Sequence, residues 1–256
     1  MMHDSRLSAN RAVGLLVKGD DTLCTAARLL IDGTLAQQSN GRFGRGVEAD
    51  SGGTIEIQTS RLVGNREAGL FAVEASLRVV GITVDDTYLS DLAHDSGNGM
   101  WLAGNPTASL SAVALRSNRG EGLGVYKSEI QARGLVVLAT QWSTSELIDA
   151  KRKTIGTATQ ADGILLNTSP NSTIDQCLIA ANERTGILVE SSAGVKITHT
   201  LVNGGKGLYG LVFQHTLDAI DQFNAVFGAS LQDRAKDAGL SLPAPPEPVQ
   251  ALSLAP

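Results

Sequence analysis

Hydrophobic and polar residues alternate with a period of two along most of the chain, in short runs separated by small or polar residues. In the segment that starts at Gly186, three such runs contain Ile187, Val195 and Leu201. An alternation of this kind predicts β-strands with one buried face, whereas an amphipathic helix needs a period near 3.6. The pattern therefore predicts short strands, and no long amphipathic helix between residues 40 and 214.

These runs recur as a unit that begins at a glycine and continues with aliphatic residues. Eight glycines begin such a unit: Gly14, Gly46, Gly69, Gly99, Gly122, Gly163, Gly186 and Gly207. In five units an asparagine stands four residues before the glycine: Asn10, Asn65, Asn118, Asn182 and Asn203. Three of the spacings between glycines are 23 residues, and the longer ones place insertions near residues 32–41, 85–95 and 138–159. Insertions at one phase of a repeat predict stacked units whose loops lie on one face.

Three strands per unit of about 23 residues predict an all-β fold, a parallel β-helix of about eight coils over residues 1–214. A single coil cannot bury its own apolar face, so the coils must stack about 4.8 Å apart. The asparagines would then form a structural ladder at one turn, with hydrogen bonds from coil to coil. We expect residues 215–238 to cap the coils as a partial coil or a helix. Residues 239–256 carry five of the seven prolines and should form an extended tail.

Two stretches, NREAGLFAVEASLRVVGITVDDT and NERTGILVESSAGVKITHTLV, resemble the repeats of right-handed parallel β-helix proteins. The phrases SNGRFGRGVEADSGG and SRLVGNREAGLFAV are similar to long β-helix repeat proteins, often lipoproteins, of myxobacteria and related bacteria. The resemblance implies a single-stranded right-handed solenoid over roughly residues 5–214. Proteins with this fold include pectate and alginate lyases, polygalacturonases, uronan epimerases, phage tailspikes and adhesins, so the fold alone implies no activity.

Composition narrows the possible classes of function. The 28 glycines and only 10 aromatic residues among 256 suit a narrow, regular core. A net charge of −5 argues against a nucleic-acid partner, and no apolar run reaches the roughly 18–20 residues of a membrane span. The first residues carry no signal-peptide pattern but already look like the middle of a repeat. We therefore expect part of a longer exported bacterial protein, extracellular or at the cell surface, with a cytoplasmic location as the alternative.

Aromatic residues stand where the alternation points side chains away from the core. Phe71 and Trp101, each two residues after a unit glycine, should lie on adjacent coils, with Tyr126 one coil further on. Exposed rings in a row are typical of a platform that binds a sugar or a protein partner. The alternative is a surface that an insertion loop covers.

Catalytic candidates are few. Asp91, His94 and Asp95 in the second insertion combine acid and base groups, which a β-helix lyase or epimerase needs on one face. Uronan epimerases carry an Asp-Pro-His-Asp string, whereas this chain reads Leu-Ala-His-Asp, so the resemblance lacks two of the four residues. No pair of His or Cys residues has metal-ligand spacing. We expect no metal and no cofactor, with calcium between coils as an open alternative.

The sequence therefore favours a non-enzymatic extracellular or cell-surface module that binds a glycan or a protein, or serves as a scaffold. The alternative is a carbohydrate-active enzyme for an acidic polysaccharide: a lyase, a uronan epimerase or a glycosidase, with a lyase-like activity favoured. Few carboxylates line up along any one column, which argues against the enzyme, whereas the insertions on one side argue for it. The sequence leaves the oligomeric state open.

Overall fold

The computed structural model describes residues 1–89, 97–104, 108–148, 154–204, 207, 209–229 and 232–236. All regular structure in these residues is β-strand. The strands, in chain order, are β1 (Met2–His3), β2 (Arg6–Ser8), β3 (Val13–Lys18), β4 (Leu23–Ala27), β5 (Leu30–Asp32), β6 (Arg45–Asp50), β7 (Thr54–Gln58), β8 (Arg61–Val63), β9 (Ala68–Val73), β10 (Ser76–Val80), β11 (Thr83–Asp85), β12 (Asn98–Ala103), β13 (Ala108–Ser111), β14 (Ala114–Arg116), β15 (Gly120–Tyr126), β16 (Ile130–Arg133), β17 (Val136–Leu138), β18 (Ser143–Ile148), β19 (Thr154–Asn167), β20 (Thr173–Asp175), β21 (Leu178–Ala180), β22 (Thr185–Glu190), β23 (Lys196–Thr198), β24 (Leu201–Asn203), β25 (Tyr209–Gln214), β26 (Ile220–Gln222), β27 (Ala225–Phe227) and β28 (Gln232–Lys236).

These strands form three parallel sheets that run the length of the molecule. Sheet A has the order β1-β4-β7-β10-β13-β16-β20-β23-β26, and sheet B the order β2-β5-β8-β11-β14-β17-β21-β24-β27. Sheet C has the order β3-β6-β9-β12-β15-β19-β22-β25-β28. Each coil passes through sheets C, A and B in turn before the chain rises to the next strand of sheet C. The predicted parallel β-helix with three strands per coil is confirmed, and eight complete coils begin with β3 and end with β27.

The interior consists of stacked aliphatic side chains, one layer per coil. In sheet C, the residue after each unit glycine from Gly46 to Gly186 is inward and fully buried, for example Leu70, Met100 and Leu123. The glycine is needed because successive coils approach closely here. A Cβ atom on Gly122 would lie 2.6 Å from the carbonyl oxygen of Gly163 on the next coil, well inside van der Waals contact.

The predicted asparagine ladder has a different composition from the one expected. At the turn between sheets B and C, asparagine and threonine alternate from coil to coil: Asn10, Thr34, Asn65, Thr87, Asn118, Thr140 and Asn182. The Asn118 side chain accepts the N–H of Thr87 through Oδ1 at 3.1 Å and donates through Nδ2 to the carbonyl oxygen of Val84 at 3.1 Å. Asn65, Asn118 and Asn182 each bind the backbone of the coil before them through Oδ1, and the asparagines do not stack on one another.

Asn203 does not belong to this ladder, which corrects the expectation for the last unit. It lies in β24, where it pairs with Ala180 and Phe227. The register of sheet C places Leu211 opposite Ile187, and both are fully buried. Leu211 therefore occupies the same inward column as Ile187. The glycine that follows Gly186 in the stack is thus Gly210 rather than Gly207.

The turns between sheets B and C are of two kinds that alternate with the ladder. After Asn65, Asn118 and Asn182 the chain reaches the next unit glycine in four residues. The insertions predicted at 32–41, 85–95 and 138–159 instead include Thr34, Thr87 and Thr140. The third contains an antiparallel hairpin of β18 and the first part of β19. Up to β22 the structural repeat is therefore a pair of coils with one short and one long turn, whereas the turn from β24 to β25 is short again.

Segment 215–238 continues the coils. Strands β26 and β27 complete the coil that β25 begins, and β28 adds a further strand to sheet C. The boundary expected at residue 214 therefore falls inside a coil. Residues 237–256 lie outside the described residues.

Candidate functional site

The outer face of sheet C, beside the long turns, carries the aromatic and charged side chains that are best suited to binding or catalysis. Two columns of residues point outward there: the residue before each unit glycine and the second residue after it. Their exposure changes along the molecule, and the face divides into an aromatic part, an acidic part and an apolar part.

The aromatic part contains all three residues predicted as a binding platform. Phe71 and Trp101 are direct partners on β9 and β12, and both are half-buried. Opposite Trp101 on β15 stands Gly124, whereas Tyr126, 38% exposed, lies two residues further along that strand. The structure thus places Phe71 and Trp101 side by side and Tyr126 diagonally beyond them.

Phe71 is partly covered by a charged side chain from the preceding strand. The Arg45 guanidinium lies 3.5 Å from the centre of the Phe71 ring, a cation–π contact. The same guanidinium forms ion pairs with Glu48, at 3.0 Å, and with Glu67. These contacts fix Arg45 over Phe71, whereas the half-buried Trp101 ring has no guanidinium stacked on it in the described part of the chain.

The apolar part of the face lies toward the C-terminal coils and is closed. Leu165, Leu188 and Val212 continue the column of Trp101, and they pack with Tyr209 and Ala235 into a second hydrophobic cluster outside the core. All five are buried. Here the alternative considered from the sequence, an apolar outer column that is covered, describes the structure.

The acidic part lies between these two regions and is built from the residue before each unit glycine. On successive coils this column reads Asn98, Glu121, Asp162 and Thr185, all buried. Asn98 accepts the backbone N–H of Glu121 at 2.9 Å through Oδ1. Arg184 forms a two-pronged ion pair with Asp162, with 2.9 Å between Nε and Oδ1. Glu121 and Asp162 therefore stand side by side on adjacent strands, and of the two only Asp162 has a cationic partner within hydrogen-bonding distance among the described residues.

Glu121 is the most perturbed group of this column. Both of its carboxyl oxygens are buried and have no hydrogen-bond partner in the described part of the chain. Burial, and secondarily the negative charge of Asp162, raises the pKa of Glu121 to about 8 against the opposing effect of Arg184. Glu121 is therefore a neutral carboxylic acid at pH 7 beside an Arg-bound carboxylate.

Gly124 connects the acidic and aromatic parts. A Cβ atom at this position would lie 2.4 Å from Cε3 of Trp101 and 3.6 Å from Oε2 of Glu121. The Trp101 ring therefore rests on the bare backbone of Gly124, next to the Glu121 carboxyl. Glycine is required here because any side chain would push the ring away.

The catalytic candidates from the sequence, Asp91, His94 and Asp95, lie outside the described residues. In the sequence Glu121 is only a charged residue on a turn that flanks these candidates, and Asp162 is not singled out. One sequence feature could have predicted this pair: on two successive coils a carboxylate stands directly before the unit glycine. The feature was hard to recognise because Gly122 and Gly163 are 41 residues apart. Among the described residues, no group of three or more His, Cys, Asp or Glu side chains could hold a metal ion. No helix there is long and apolar enough to cross a membrane.

Comparisons with known proteins agree with the architecture. Residues 81–220, more than half of the chain, match the family described as right handed beta helix region. The enzymatically active domain of tailspike protein 2 from bacteriophage CBA120 has a TM-score of 0.58 and 17% sequence identity. That similarity covers 93% of this chain but 38% of the tailspike chain, so this chain spans well under half of that length.

Two epimerases are more distant. The periplasmic alginate epimerase AlgG has a TM-score of 0.45 at 13% identity, over 87% of this chain and 61% of its own. The A-module of mannuronan C-5 epimerase AlgE4 from Azotobacter vinelandii has a TM-score of 0.37 at 9% identity, over 91% and 79%. No curated protein sequence matches the chain. The family match and the similarity to the tailspike domain support the β-helix fold.

Proposed function

Because the chain belongs to the right-handed beta helix family, we propose that it is a module that binds a glycan on the outer face of sheet C. The observation that carries this proposal is the half-buried Trp101 ring, which lies against Gly124 and beside Phe71. Aromatic rings on a rigid, flat sheet offer apolar faces to the C–H groups of sugars, with polar groups nearby for the hydroxyls.

The surroundings of Trp101 suit a polar ligand. Arg45, Glu48 and Glu67 lie on the same face within one or two coils and can exchange hydrogen bonds with sugar hydroxyls. These three side chains already neutralise much of one another's charge. The surface thus favours hydroxyl-rich chains over a ligand held by charge alone.

The proposal places the module outside the cell or at its surface, where polymeric glycans are accessible. The resemblance of its repeats to myxobacterial lipoproteins supports this location, and a cell-surface lipoprotein would hold such a module near the polymers that it binds. A protein partner on the same face is the competing outcome.

The test is a binding assay with a panel of neutral and acidic polysaccharides, using purified wild-type protein and Trp101→Ala. We expect at least one polysaccharide to bind, and Trp101→Ala to weaken that binding by about tenfold or more, since a stacked ring contributes roughly 1–3 kcal/mol. The melting temperature of the variant should stay within a few degrees of wild type.

Phe223→Ala is the matched control. Phe223 is 79% exposed and stacks on His199 at the turn between sheets A and B, away from sheet C. Its substitution should leave binding unchanged. Binding by no member of the panel would contradict the proposal. So would a large loss of stability in Trp101→Ala with unchanged affinity, because Trp101 would then be part of the packing rather than of a binding surface.

A further inference from the structure

The outer face of sheet C has a second open column of residues beside the one that contains Trp101. It consists of the fourth residue after each unit glycine, which from β12 to β22 reads Ala103, Tyr126, Asn167 and Glu190. Tyr126 is 38% exposed and the other three are half-buried. The column of Trp101, by contrast, is buried from Gly124 to Val212. A ligand that stacks on Trp101 can therefore extend toward the C-terminal coils along the second column rather than along its own.

We propose that the glycan bound at Trp101 is a chain of several sugar residues that crosses sheet C over Tyr126 and reaches Glu190. This inference rests on the proposed function and adds the length and the path of the ligand. Trp101 and Glu190 are three coils apart along the rod and two residues apart across it, so the register puts their Cα atoms roughly 16 Å apart. A single sugar ring is too short to contact both side chains, whereas an oligosaccharide can.

The first part of the path joins two partly accessible rings. On the N-terminal side of Trp101, the Arg45 guanidinium already contacts the Phe71 ring, 3.5 Å from its centre. On the C-terminal side, Tyr126 lies one strand beyond Trp101 and two residues further along, so the two Cα atoms are roughly 8 Å apart. The Lys127 ammonium lies 5.0 Å from the centre of the Tyr126 ring, a cation–π contact that helps to orient this ring. A glycan that stacks on Trp101 therefore meets a second ring on the C-terminal side.

The far end of the path is a polar pair that is already oriented. Asn167 stands opposite Tyr126 on the next strand, and Glu190 stands opposite Asn167 on the strand after that. The Asn167 amide donates through Nδ2 to Oε2 of Glu190 at 2.8 Å, and the Thr168 hydroxyl donates to Oδ1 of Asn167 at 2.8 Å. The first of these bonds uses Oε2, so Oε1 of Glu190 can accept a sugar hydroxyl. Side chains that are oriented before binding lose little conformational entropy when the ligand arrives.

The same pair indicates that the sugar chain is neutral. Among the described residues, the hydrogen-bond partner of the Glu190 carboxylate is a neutral amide rather than a cation, so its negative charge remains for the ligand to meet. A carboxylate accepts hydrogen bonds from hydroxyl groups but repels the carboxylate of a uronic acid. A neutral, hydroxyl-rich oligosaccharide is therefore the class of ligand that fits the path.

The experiment measures, by isothermal titration calorimetry, the affinity of oligosaccharides of increasing length cut from the neutral polysaccharide that binds best. For wild type we expect the affinity to rise with length until the chain reaches Glu190 and then to stay constant. Tyr126→Ala and Glu190→Ala should each weaken the longest oligosaccharide by about tenfold, the usual order for a lost stacking contact or a lost hydrogen bond to a charged group, and leave a disaccharide unchanged. Trp101→Ala should weaken binding at every length.

Glu56→Ala is the matched control, because Glu56 is an exposed carboxylate on sheet A, away from the path. Its affinities should equal those of wild type at every length. The path is overturned if the affinity does not depend on length, if folded Tyr126→Ala and Glu190→Ala both bind long chains as wild type does, or if only acidic chains bind. Absence of binding to every polysaccharide instead contradicts the proposed function, so the two failures are distinguishable.

Discussion

Asn118 shows how a single buried amide can join two coils. Its side chain accepts the N–H of Thr87 at the turn and donates to the carbonyl oxygen of Val84 in β11, both on the preceding coil. The residue is 1% exposed, so water cannot replace these bonds. The ladder therefore consists of hydrogen bonds from asparagine side chains to the backbone. Threonine can occupy the alternate positions because only its backbone N–H takes part in these bonds.

Replacing Asn118 by alanine tests this interpretation. The change leaves the buried N–H of Thr87 without its acceptor and removes the bond to the Val84 carbonyl oxygen. Because an unsatisfied buried donor costs roughly 1–3 kcal/mol, we expect the free energy of unfolding in urea to fall by about 1–3 kcal/mol. Asn203→Ala is the matched comparison, since Asn203 lies in a strand outside the ladder. Equal losses of unfolding free energy in the two variants would show that an asparagine in the ladder contributes no more to stability than one in a strand.

Glu121 makes stability depend on pH in a direction opposite to that of most carboxylates. Its pKa is raised in the folded protein to about 8, above the ordinary value near 4.5. The folded state therefore holds a proton that the unfolded state releases. The stability linked to this proton is fully present below about pH 4.5, declines as the pH rises, and is lost above about 8.

Glu121→Gln removes this dependence. Compared with wild type, the variant should be no more stable at pH 4 and increasingly more stable toward pH 8, by up to about 1.4 kcal/mol for each pH unit between the two pKa values. Urea unfolding of both proteins at pH 4, 6 and 8 measures the difference. A constant difference at all three pH values would mean that Glu121 is ionised in the folded protein.

At the scale of the strands, much of the fold follows from the sequence. The alternation around Ile187 and the glycines that precede aliphatic runs predict strands of sheet C, because an inward side chain and a close backbone approach recur in every coil. The alternating ladder was missed because Thr34, Thr87 and Thr140 look like ordinary turn residues until the register aligns them with asparagines.

The candidate site was less predictable for a physical reason. Glu121 and Asp162 become neighbours only through the pairing of β15 with β19, and the hairpin of β18 and β19 separates them along the chain. Neither the burial of Glu121 nor the pairing of Arg184 with Asp162 leaves a local pattern in the sequence. By contrast, the positions of Phe71 and Trp101 followed from the two-residue period alone, since the side chains of one strand alternate between faces.

The whole molecule is a rod of about eight coils, roughly 40 Å long at about 4.8 Å per coil. Each coil contacts only its neighbours, so the coils in the middle have a partner on both sides while the end coils have one. Stability should therefore vary along the rod rather than be uniform.

Hydrogen exchange can measure this gradient. We expect the amides of β12, β15 and β19 to exchange at least about tenfold more slowly than those of β1, β2, β26 and β27, because the end strands open without disturbing the rest. Mass spectrometry of peptic fragments resolves the two groups. Equal exchange in both would indicate that the molecule unfolds only as one unit.

Because short and long turns alternate, adding or removing coils preserves their order only when the number of coils changed is even. Long turns on the same edge now stand two coils, or about 10 Å, apart, which gives each of them room for inserted residues. Duplicating one coil would bring two long turns, or two short ones, onto neighbouring rungs and would break the order of asparagine and threonine. Duplicating a pair of coils would preserve both. Over the coils where this alternation holds, up to β22, changes in steps of two coils keep the long turns at the same spacing.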